Sequence, residues 1–406
     1  MKYILIIGDG MADNGVPELE GKTPLEYASI PHIDYLAACG ELGSVKNVPA
    51  MLPPGSDTAI LSIMGCETEK VYSGRAPLEA AAQGIVLESG AAAFRCNNVS
   101  LSEGDTFENR RILSHSGGNI EGKLSKELIE YLFAHPDFKP LADKAGMTVS
   151  GAESYRHLAF RKNADIRGIS LKPPHDHLEE RVGDNLPSGC ADAEILKKLM
   201  EAAVPVLESH PINIARKAEG TLMANAIWFW AEGTAVQLDS FYEKFGKTGA
   251  VISAVPLCHG IARLVGLDVI EVEGATGELD TNYEGKVDAA IEALKPRDFV
   301  AIHVEAPDEC THCHDLKGKL QAIEWLDSRV VAPLMARLEG EEYRLLILSD
   351  HKTLMSDGSH DGDPVPYAIF DSRRQAKRIA HYTEAEGLMG PMVEHGKLLL
   401  PKLFEL

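Results

Sequence analysis

Positive charge is scarce in this sequence. Its 40 lysines and arginines stand against 61 aspartates and glutamates, which gives a formal net charge of -21 at pH 7. Nucleic acids and anionic membrane surfaces bind to basic protein surfaces. The charge balance therefore excludes both as expected partners. If such an acidic protein handles an anionic small molecule, it must gather positive charge locally, from arginines or from bound cations.

Long apolar runs and a regular cysteine pattern are also missing. No stretch approaches the ~20 apolar residues that span a bilayer, and the apolar run at residues 3–7 is too short for the core of a signal peptide. The 7 cysteines lack the spacing of a disulfide framework, which indicates reduced thiols. We therefore expect a cytoplasmic protein, and a homo-oligomer is compatible with the sequence.

Four continuous apolar runs predict buried strands. They lie at residues 3–7, 250–255, 299–304 and 345–348. Strands that are apolar throughout are buried on both faces, as in a parallel sheet covered by helices. Helical patterns separate these runs, and residues 316–338 carry apolar side chains at helical spacing. The alternation predicts an α/β fold with a doubly wound, mostly parallel sheet.

The length of 406 residues suits two domains. From about residue 91 to residue 232 the strand signals weaken, and proline, histidine and glycine interrupt the pattern often. We therefore predict that residues 91–232 form an inserted α+β cap domain that binds substrate. Residues 1–90 and 233–406 would form the metal-binding catalytic core, and hinge motion of the cap would admit substrate and exclude water.

Acidic side chains and histidines follow the predicted strands. The carboxyl ends of parallel strands meet at one edge of a sheet, where ligands bind. Carboxylates clustered at such an edge repel one another unless cations neutralise them, so the combination predicts a metal site. The candidate ligands are Asp9, Glu305, Asp308, His312, Asp350, His351 and His360.

The segment "HVEAPDECTHCHD" also contains a C-x-x-C pair, Cys310 and Cys313. This spacing is that of half a zinc knuckle or of a redox pair, and the chain has no second C-x-x-C to complete a zinc site. A redox pair at a helix start remains an alternative. We expect the two cysteines to fill a loop between metal ligands, and His303 and His314 to be ordinary core or surface residues.

Ser56 is the candidate nucleophile. In "MLPPGSDTAILSIMGC" it follows Pro-Pro-Gly and precedes a short predicted helix, whose dipole and free N–H groups favour an anion. The ordinary interpretation of such a serine is a helix N-cap. Beside two metal ions, however, its hydroxyl would ionise and attack, and a paired-metal site with a serine nucleophile suits phosphoryl transfer.

Arginines are the candidate ligands for the other anionic groups of such a substrate. "YSGRAPLEA" contains Arg75, "AAAFRCNN" contains Arg95, and "SYRHLAF" contains Arg156 beside His157. An arginine is more often a solvated surface group than a ligand. We predict these four residues as substrate contacts.

Short segments along nearly the whole chain resemble one known family. They include "GDGMAD", "PPGSDTAILS", "GRAPLEA", "YRHL", "HVEAPDE" and "SDH", and they occur in that family's order. The family is that of the cofactor-independent phosphoglycerate mutases of archaeal type, which belongs to the alkaline phosphatase superfamily. The resemblance implies an alkaline-phosphatase-like core with an inserted cap.

The resemblance also implies the roles of individual residues. Ser56 would be the phosphorylated nucleophile, at a site with two divalent cations (usually manganese, cobalt, zinc or magnesium) and no bisphosphoglycerate. One cation would be bound by Asp9, Ser56, Asp350 and His351. The other would be bound by Asp308, His312 and His360. The two cysteines would take no part.

The chain departs from the usual family pattern in three loops. It has "DECTHCHD" where a DExGHxGD-like pattern is usual, "DHKTL" in place of DHPTP, and "HDGDPVP" in place of HT-x-DPVP. The ligands are retained, whereas Lys352 and His314 are new polar groups near the substrate loop. The departures bear on the identity of the substrate more than on the type of reaction.

The resemblance implies a small phosphorylated hydroxy acid as the substrate, and with the residues it leaves three functions to compare. The leading hypothesis is interconversion of 2-phosphoglycerate and 3-phosphoglycerate through a phosphoserine. The alternative is a metal-dependent phosphotransferase acting on another small substrate, such as a homoserine kinase. A non-catalytic metal-binding module would leave Ser56 and the arginines unexplained.

Overall fold

The computed structural model describes residues 1–120, 122–374 and 378–405. Its strands are numbered in chain order. They are β1 (Lys2–Gly8), β2 (Glu41–Val45), β3 (Ala92–Leu101), β4 (Ile112–Ser114), β5 (Met147–Ser150), β6 (Arg156–Arg161), β7 (Ala226–Thr234), β8 (Gly249–Ile252), β9 (Asp268–Ile270), β10 (Phe299–Val304), β11 (Tyr343–Leu348), β12 (Lys352–Thr353), β13 (His360–Asp361), β14 (Val365–Asp371) and β15 (Met392–Val393).

The helices are numbered in the same way. Within the three described ranges, none of them is both long enough and apolar enough to cross a membrane. They are α1 (Pro24–Tyr27), α2 (Pro31–Cys39), α3 (Ser56–Ile63), α4 (Thr68–Val71), α5 (Ala76–Ala82), α6 (Gly122–Ala134), α7 (Lys139–Ala145), α8 (Ala191–Glu208), α9 (Pro211–Ala218), α10 (Phe241–Phe245), α11 (Pro256–Leu264), α12 (Tyr283–Leu294), α13 (Ala306–His312), α14 (Leu316–Trp325), α15 (Ala332–Arg337), α16 (Glu384–Met389) and α17 (Leu399–Phe404).

The chain divides into two compact units. The first unit comprises residues 1–72 and 237–406, and the second comprises residues 73–236. Helix α5, which the sequence places in the core domain, packs against β3 and β7 of the second unit. Ala76 and Ala80 of this helix share a buried cluster with Ala93. The second unit therefore begins earlier in the chain than the predicted boundary at residue 91.

An eight-stranded sheet forms the centre of the first unit. Its strand order is β15-β2-β14-β11-β1-β10-β8-β9. Strand β14 is antiparallel to both of its neighbours, whereas the other neighbouring pairs are parallel. The four predicted apolar runs form the buried strands β1, β8, β10 and β11. The predicted α/β fold with a mostly parallel sheet is confirmed.

The centre of this sheet positions the candidate site. Strands β11, β1 and β10 are neighbours and run parallel, so the residues that follow them lie at one edge. Ile7 of β1 pairs with His303 of β10 on one side and with Leu348 of β11 on the other. The predicted helix at residues 316–338 is present as α14 and α15, joined by the π-helical segment Leu326–Val331.

The second unit combines an antiparallel sheet with helices. Strand β3 pairs with β4, β6 and β7, and β5 pairs with β6. The core behind this sheet includes Phe94, Trp228 and Phe229. Strand β3 is buried over its whole length although it contains polar residues such as Asn97 and Asn98. These polar residues interrupt the apolar pattern, which explains the weak strand signal of the sequence.

Candidate active site

Two buried carboxylates each have an oxygen without a hydrogen-bond partner. Asp9 and Asp350 are both 1% exposed, and neither Asp9 Oδ1 nor Asp350 Oδ2 has a hydrogen-bond partner among the residues that the structure describes. Asp350 Oδ1 accepts hydrogen bonds from the backbone N–H groups of Gly10 (3.1 Å) and His351 (2.9 Å). A buried carboxylate oxygen without a partner is costly. A cation would satisfy both oxygens, so these residues fit a divalent metal ion.

His351 presents a ring nitrogen to the same two oxygens. Its Nε2 lies 3.3 Å from Asp350 Oδ2 and 3.6 Å from Asp9 Oδ1. Its Nδ1 lies 3.2 Å from the backbone carbonyl of Lys352, which can only accept, so we assign the ring proton to Nδ1. Burial lowers the pKa of His351, which favours the neutral ring. The lone pair on Nε2 is therefore directed to the carboxylates, as in a metal ligand.

Ser56 lies beside this group. Its Oγ is 3.2 Å from His351 Nε2. Helix α3 begins at Ser56 itself, with Gly55 as its N-cap, rather than after the serine as the sequence suggests. The N–H groups of the first helical turn lack partners within the helix, and the helix dipole is positive there. The Ser56 hydroxyl therefore lies between a helix N-terminus and the oxygens that suit a cation.

A second group of possible ligands adjoins the first. Asp308, His351 and His360 offer ligand atoms that lie within 4.8 Å of one another, as do Asp9, Asp350 and His351. His312 Nε2 lies 3.1 Å from Asp308 Oδ2 and 3.0 Å from His360 Nε2. Asp308 and His312 are one turn apart on α13. The structure thus brings together the three residues predicted for the second cation, with His351 common to both groups.

The pKa values of the carboxylates reflect the negative charge concentrated at this edge of the sheet. Burial, reinforced by the charges of Asp350 and Asp308, raises the pKa of Asp9 well above its ordinary value. Burial also opposes ionisation of Asp308, but hydrogen bonds to His312 and His360 lower its pKa. Additional positive charge close to Asp9 would favour its ionised form. Bound cations would provide that charge.

A threonine that the sequence did not indicate joins the two groups. Thr353 Oγ1 donates a hydrogen bond to Asp308 Oδ1 (2.6 Å) and lies 3.2 Å from His351 Nδ1. A Cβ on Gly10, which has φ +59°, would lie 2.3 Å from this hydroxyl and 2.7 Å from Asp308 Oδ1. Glycine at position 10 of "GDGMAD" thus permits the close approach of the loop after β1 to Thr353 and Asp308.

Asn47 supports the same edge from the loop after β2. Its Nδ2 donates to the backbone carbonyls of Ser349 (3.1 Å) and Asp350 (2.9 Å). A single asparagine some 300 residues away in sequence gives no pattern to detect. Outer hydrogen bonds of this kind hold ligand-bearing loops in place.

The two polar departures from the family pattern have different surroundings. Lys352 is buried, and its Nζ donates to Asn14 Oδ1 (2.9 Å) and lies 3.6 Å from Asp363. His314 is exposed and has φ +54° in the turn after α13. The Lys352 ammonium therefore contacts Asn14 and Asp363 rather than a proposed ligand, and His314 lies at the surface.

The cysteine pair stands apart from the ligand groups. Cys310 is buried and Cys313 is exposed, and both are free thiols. Neither belongs to a group of possible metal ligands in the ranges that the structure describes. Replacing both with serine is expected to leave metal content and turnover nearly unchanged. Elemental analysis and steady-state assays would check this, with His312→Ala as the control that should lose metal. Loss of metal or of a redox response in the double variant would contradict it.

Two arginines of the second unit share one carboxylate. Arg95 is buried and forms an ion pair with Glu79, and Arg75 Nε lies 3.3 Å from Glu79 Oε1. Burial opposes ionisation of Glu79, but the hydrogen bond from Arg95 lowers its pKa. The Arg95 guanidinium also stacks on Trp230, with its Cζ 4.7 Å from the ring centroid. One negative charge for several guanidinium groups leaves this cluster net positive.

Arg156 supplies the uncompensated charge. Its Cζ lies 5.6 Å from the Trp230 ring and 5.5 Å from the Tyr155 ring. Its Nε is buried without a partner in the described ranges, and its Nη2 donates to the Tyr155 hydroxyl over 3.3 Å. Burial, with the nearby charge of Arg95, lowers the pKa of Arg156. A cation that is desolvated and under-bonded in this way is suited to an anionic ligand.

His157 has a different environment. Its ring is completely buried, and its Nδ1 accepts a hydrogen bond from the backbone of Ala152 (3.0 Å). Its Nε2 lies 3.0 Å from the side-chain amide of Asn98. Burial lowers the pKa of His157 to about 4, so the ring is neutral at pH 7. We therefore leave His157 out of the proposed substrate contacts.

Comparisons with known proteins agree with this geometry. A family model described as 2,3-bisphosphoglycerate-independent phosphoglycerate mutase matches residues 37–213. The enzyme of that name from Methanosarcina acetivorans is 44% identical over 408 residues, covering 100% of this chain and 98% of the relative. A probable enzyme of the same name from Geobacter sulfurreducens is 43% identical over 408 residues and is covered completely, as is this chain.

Solved structures show the same fold. A protein of Pyrococcus horikoshii has a TM-score of 0.81 and 30% identity, and the match covers 100% of this chain and 96% of the other. A cofactor-independent phosphoglycerate mutase from Thermoplasma acidophilum has a TM-score of 0.66 at 23% identity and 100% coverage of both chains, which supports the fold. The chain belongs to the family of 2,3-bisphosphoglycerate-independent phosphoglycerate mutases.

Proposed function

We propose that this chain interconverts 2-phosphoglycerate and 3-phosphoglycerate, without bisphosphoglycerate, through a phosphoserine at Ser56. One observation supports this most directly: the Ser56 hydroxyl lies 3.2 Å from His351 Nε2, where unpartnered oxygens of Asp9 and Asp350 also converge. Membership of the mutase family supplies the substrate. The free, scattered cysteines support a cytoplasmic location.

Two divalent cations complete the proposed site. Bound there, they would lower the pKa of the serine hydroxyl and neutralise the phosphoryl oxygens. Carboxylates suit manganese and magnesium, and imidazoles suit zinc and cobalt, so the mixed ligand set is compatible with these four metals. The first cation would be held by Asp9, Ser56, Asp350 and His351. The second would be held by Asp308, His312 and His360.

Each group of residues at the site has its own role in the proposed phosphoryl transfer. Ser56 attacks the phosphoryl group and stores it between the two transfers. The N–H groups at the start of α3 bind phosphoryl oxygens, since the helix dipole favours negative charge there. The glycerate, no longer bonded to phosphorus, stays in the site and reorients. Its other hydroxyl then takes the phosphoryl group back from Ser56. The carboxylates and histidines at this edge of the sheet would keep the cations in place during both transfers.

Arg95 and Arg156 are the proposed contacts for the anionic groups of the glycerate, with Arg75 as a weaker contributor because it is the more exposed. Arg156 is the stronger candidate of the pair since Arg95 already has a carboxylate partner. Its planar guanidinium can form two parallel hydrogen bonds with a carboxylate or phosphate.

Replacing Arg156 with leucine is therefore expected to raise the KM for phosphoglycerate by about 10- to 100-fold, the worth of one hydrogen bond to a charged group. Steady-state kinetics would measure it. Arg167→Leu is the matched control, because Arg167 lies in the same unit, is exposed and pairs with Asp165. Equal changes of KM in both variants would show that only net charge matters.

The proposed reaction is tested directly by assay. The metal-replete protein should convert each phosphoglycerate to the other in the absence of bisphosphoglycerate. It should also release no ADP from ATP and homoserine, which tests the alternative of a homoserine kinase. Absence of interconversion combined with ADP release would replace the proposed function by that alternative.

A further inference from the structure

We propose that His303 is a positioning residue that orients Asp9 for cation binding. His303 Nε2 lies 2.9 Å from Asp9 Oδ2, and both side chains are buried. This contact occupies one carboxylate oxygen and directs the other, Oδ1, towards His351. The inference rests on the cation-binding role proposed above for Asp9. It assigns a function to a histidine for which the sequence suggested only packing.

The hydrogen bonds around His303 define which nitrogen carries the proton. Ser253 Oγ accepts a hydrogen bond from the backbone N–H of Val255 (3.0 Å) and lies 3.0 Å from His303 Nδ1. The ionised carboxylate of Asp9 can only accept, so the Nε2 of His303 that lies 2.9 Å from it donates, and Nδ1 of the neutral ring accepts from the Ser253 hydroxyl. The proton of the neutral ring is therefore on Nε2, where it is donated to Asp9. Ser253 follows β8, the strand next to β10.

The loop after β1 explains why Asp9 needs a side-chain donor. Asp350 is oriented by two backbone N–H groups, one of which is that of Gly10. The Gly10 amide is thus directed to Asp350 and is not available to Asp9. His303, in the neighbouring strand β10, provides the equivalent donor for Asp9 from a fixed position. Each carboxylate then has one oxygen held and one oxygen free.

Packing alone does not account for a histidine at this position. Strand β10 is buried throughout, and its other members, such as Val300 and Ile302, are apolar. A polar ring in such a strand costs free energy unless both nitrogens are hydrogen-bonded. Here both are bonded, and one bond ends on a proposed ligand. Outer-shell hydrogen bonds of this type orient metal ligands and strengthen metal binding.

The test measures metal affinity rather than turnover. Wild-type protein and variants are titrated with manganese or zinc alone, in competition with a chromophoric chelator. His303→Leu should weaken binding at one of the two sites by about 10- to 100-fold and leave the other unchanged. His303→Gln, which retains an N–H donor, should stay within a few-fold of the wild type. Ser253→Ala should weaken the same site less than His303→Leu does.

His32→Leu is the matched control. His32 also contacts a buried carboxylate, with Nδ1 2.8 Å from Asp327 Oδ2, but neither residue belongs to a ligand group in the described ranges. Its removal should leave both metal affinities unchanged.

Three results would overturn the inference. These are unchanged affinities in His303→Leu, equal losses in His303→Gln and His303→Leu, or an equal loss in the His32 control. If His303→Leu does not fold, as judged by circular dichroism, unchanged affinity in a folded Ser253→Ala would overturn it. A wild-type protein that binds no divalent cation would instead contradict the proposed function.

Discussion

Replacing Ser56 with alanine is expected to lower turnover by at least about 10³-fold, because binding energy cannot substitute for a missing nucleophile. A mutase that uses no diphosphorylated cofactor must store the phosphoryl group on itself, and Ser56 has the environment for this. Its Oγ is 3.2 Å from His351 Nε2, and it begins helix α3. The fold and the metal content should change little, since Asp9, Asp350 and His351 remain.

Two measurements separate loss of the nucleophile from general damage. Rapid quench with labelled phosphoglycerate should place the label on the peptide that contains Ser56 and on no other. Ser62→Ala is the control, because Ser62 lies buried in the same helix α3 and has no role in the proposed reaction. An alanine variant at Ser56 that retains a tenth of normal turnover, or label on another peptide, would refute the mechanism.

Four strands of the central sheet, β1, β8, β10 and β11, could be predicted because they consist almost entirely of apolar residues. Strands β1 and β10 are buried on both faces, so the apolar runs in the sequence coincide with the elements to within a residue or two. The second unit was harder to interpret. Asn97 and Asn98 lie in β3 with their side chains buried and hydrogen-bonded, and such polar positions remove the apolar pattern that marks a strand.

The ligand-bearing positions could be located for a related reason. Asp9 and Asp350 follow strands, and the ends of parallel strands meet at one edge. Their supporting contacts could not be located, because Thr353, Asn47 and His303 act through hydrogen bonds between segments far apart in the chain. A single threonine, asparagine or histidine carries no periodicity that would distinguish it from a packing residue.

Removal of divalent cations is expected to abolish turnover and to destabilise the protein. Without cations, the negative charges of Asp9, Asp350 and Asp308 are close together in a buried edge, and burial together with these charges raises the pKa of Asp9. A cation that binds only the folded state stabilises it by about 2.7 kcal/mol when its free concentration is 100 times Kd. Dialysis against a chelator should therefore lower Tm, and readdition of manganese, cobalt, zinc or magnesium should restore both Tm and turnover to different extents.

Asp350→Asn tests the same site without a chelator. The amide retains an acceptor for the N–H groups of Gly10 and His351, but the anionic oxygen that faces His351 Nε2 is lost. We expect the bound metal to fall from two cations to one, and turnover to fall by at least about 100-fold, more than an outer-shell change would cost. Asp361→Asn is the control, because Asp361 lies next to His360 but bonds to the backbone of Asp363.

Elemental analysis and thermal unfolding of both variants together test whether Asp350 holds a cation. Because Asp350→Asn removes one negative charge from a crowded edge, the metal-free variant should be at least as stable as the metal-free wild type, whereas the metal-loaded variant should be less stable than the metal-loaded wild type. This crossing of stabilities distinguishes a metal ligand from a structural carboxylate, whose loss would destabilise both forms equally. Full metal content and full turnover in Asp350→Asn would exclude a role for this carboxylate in holding a cation.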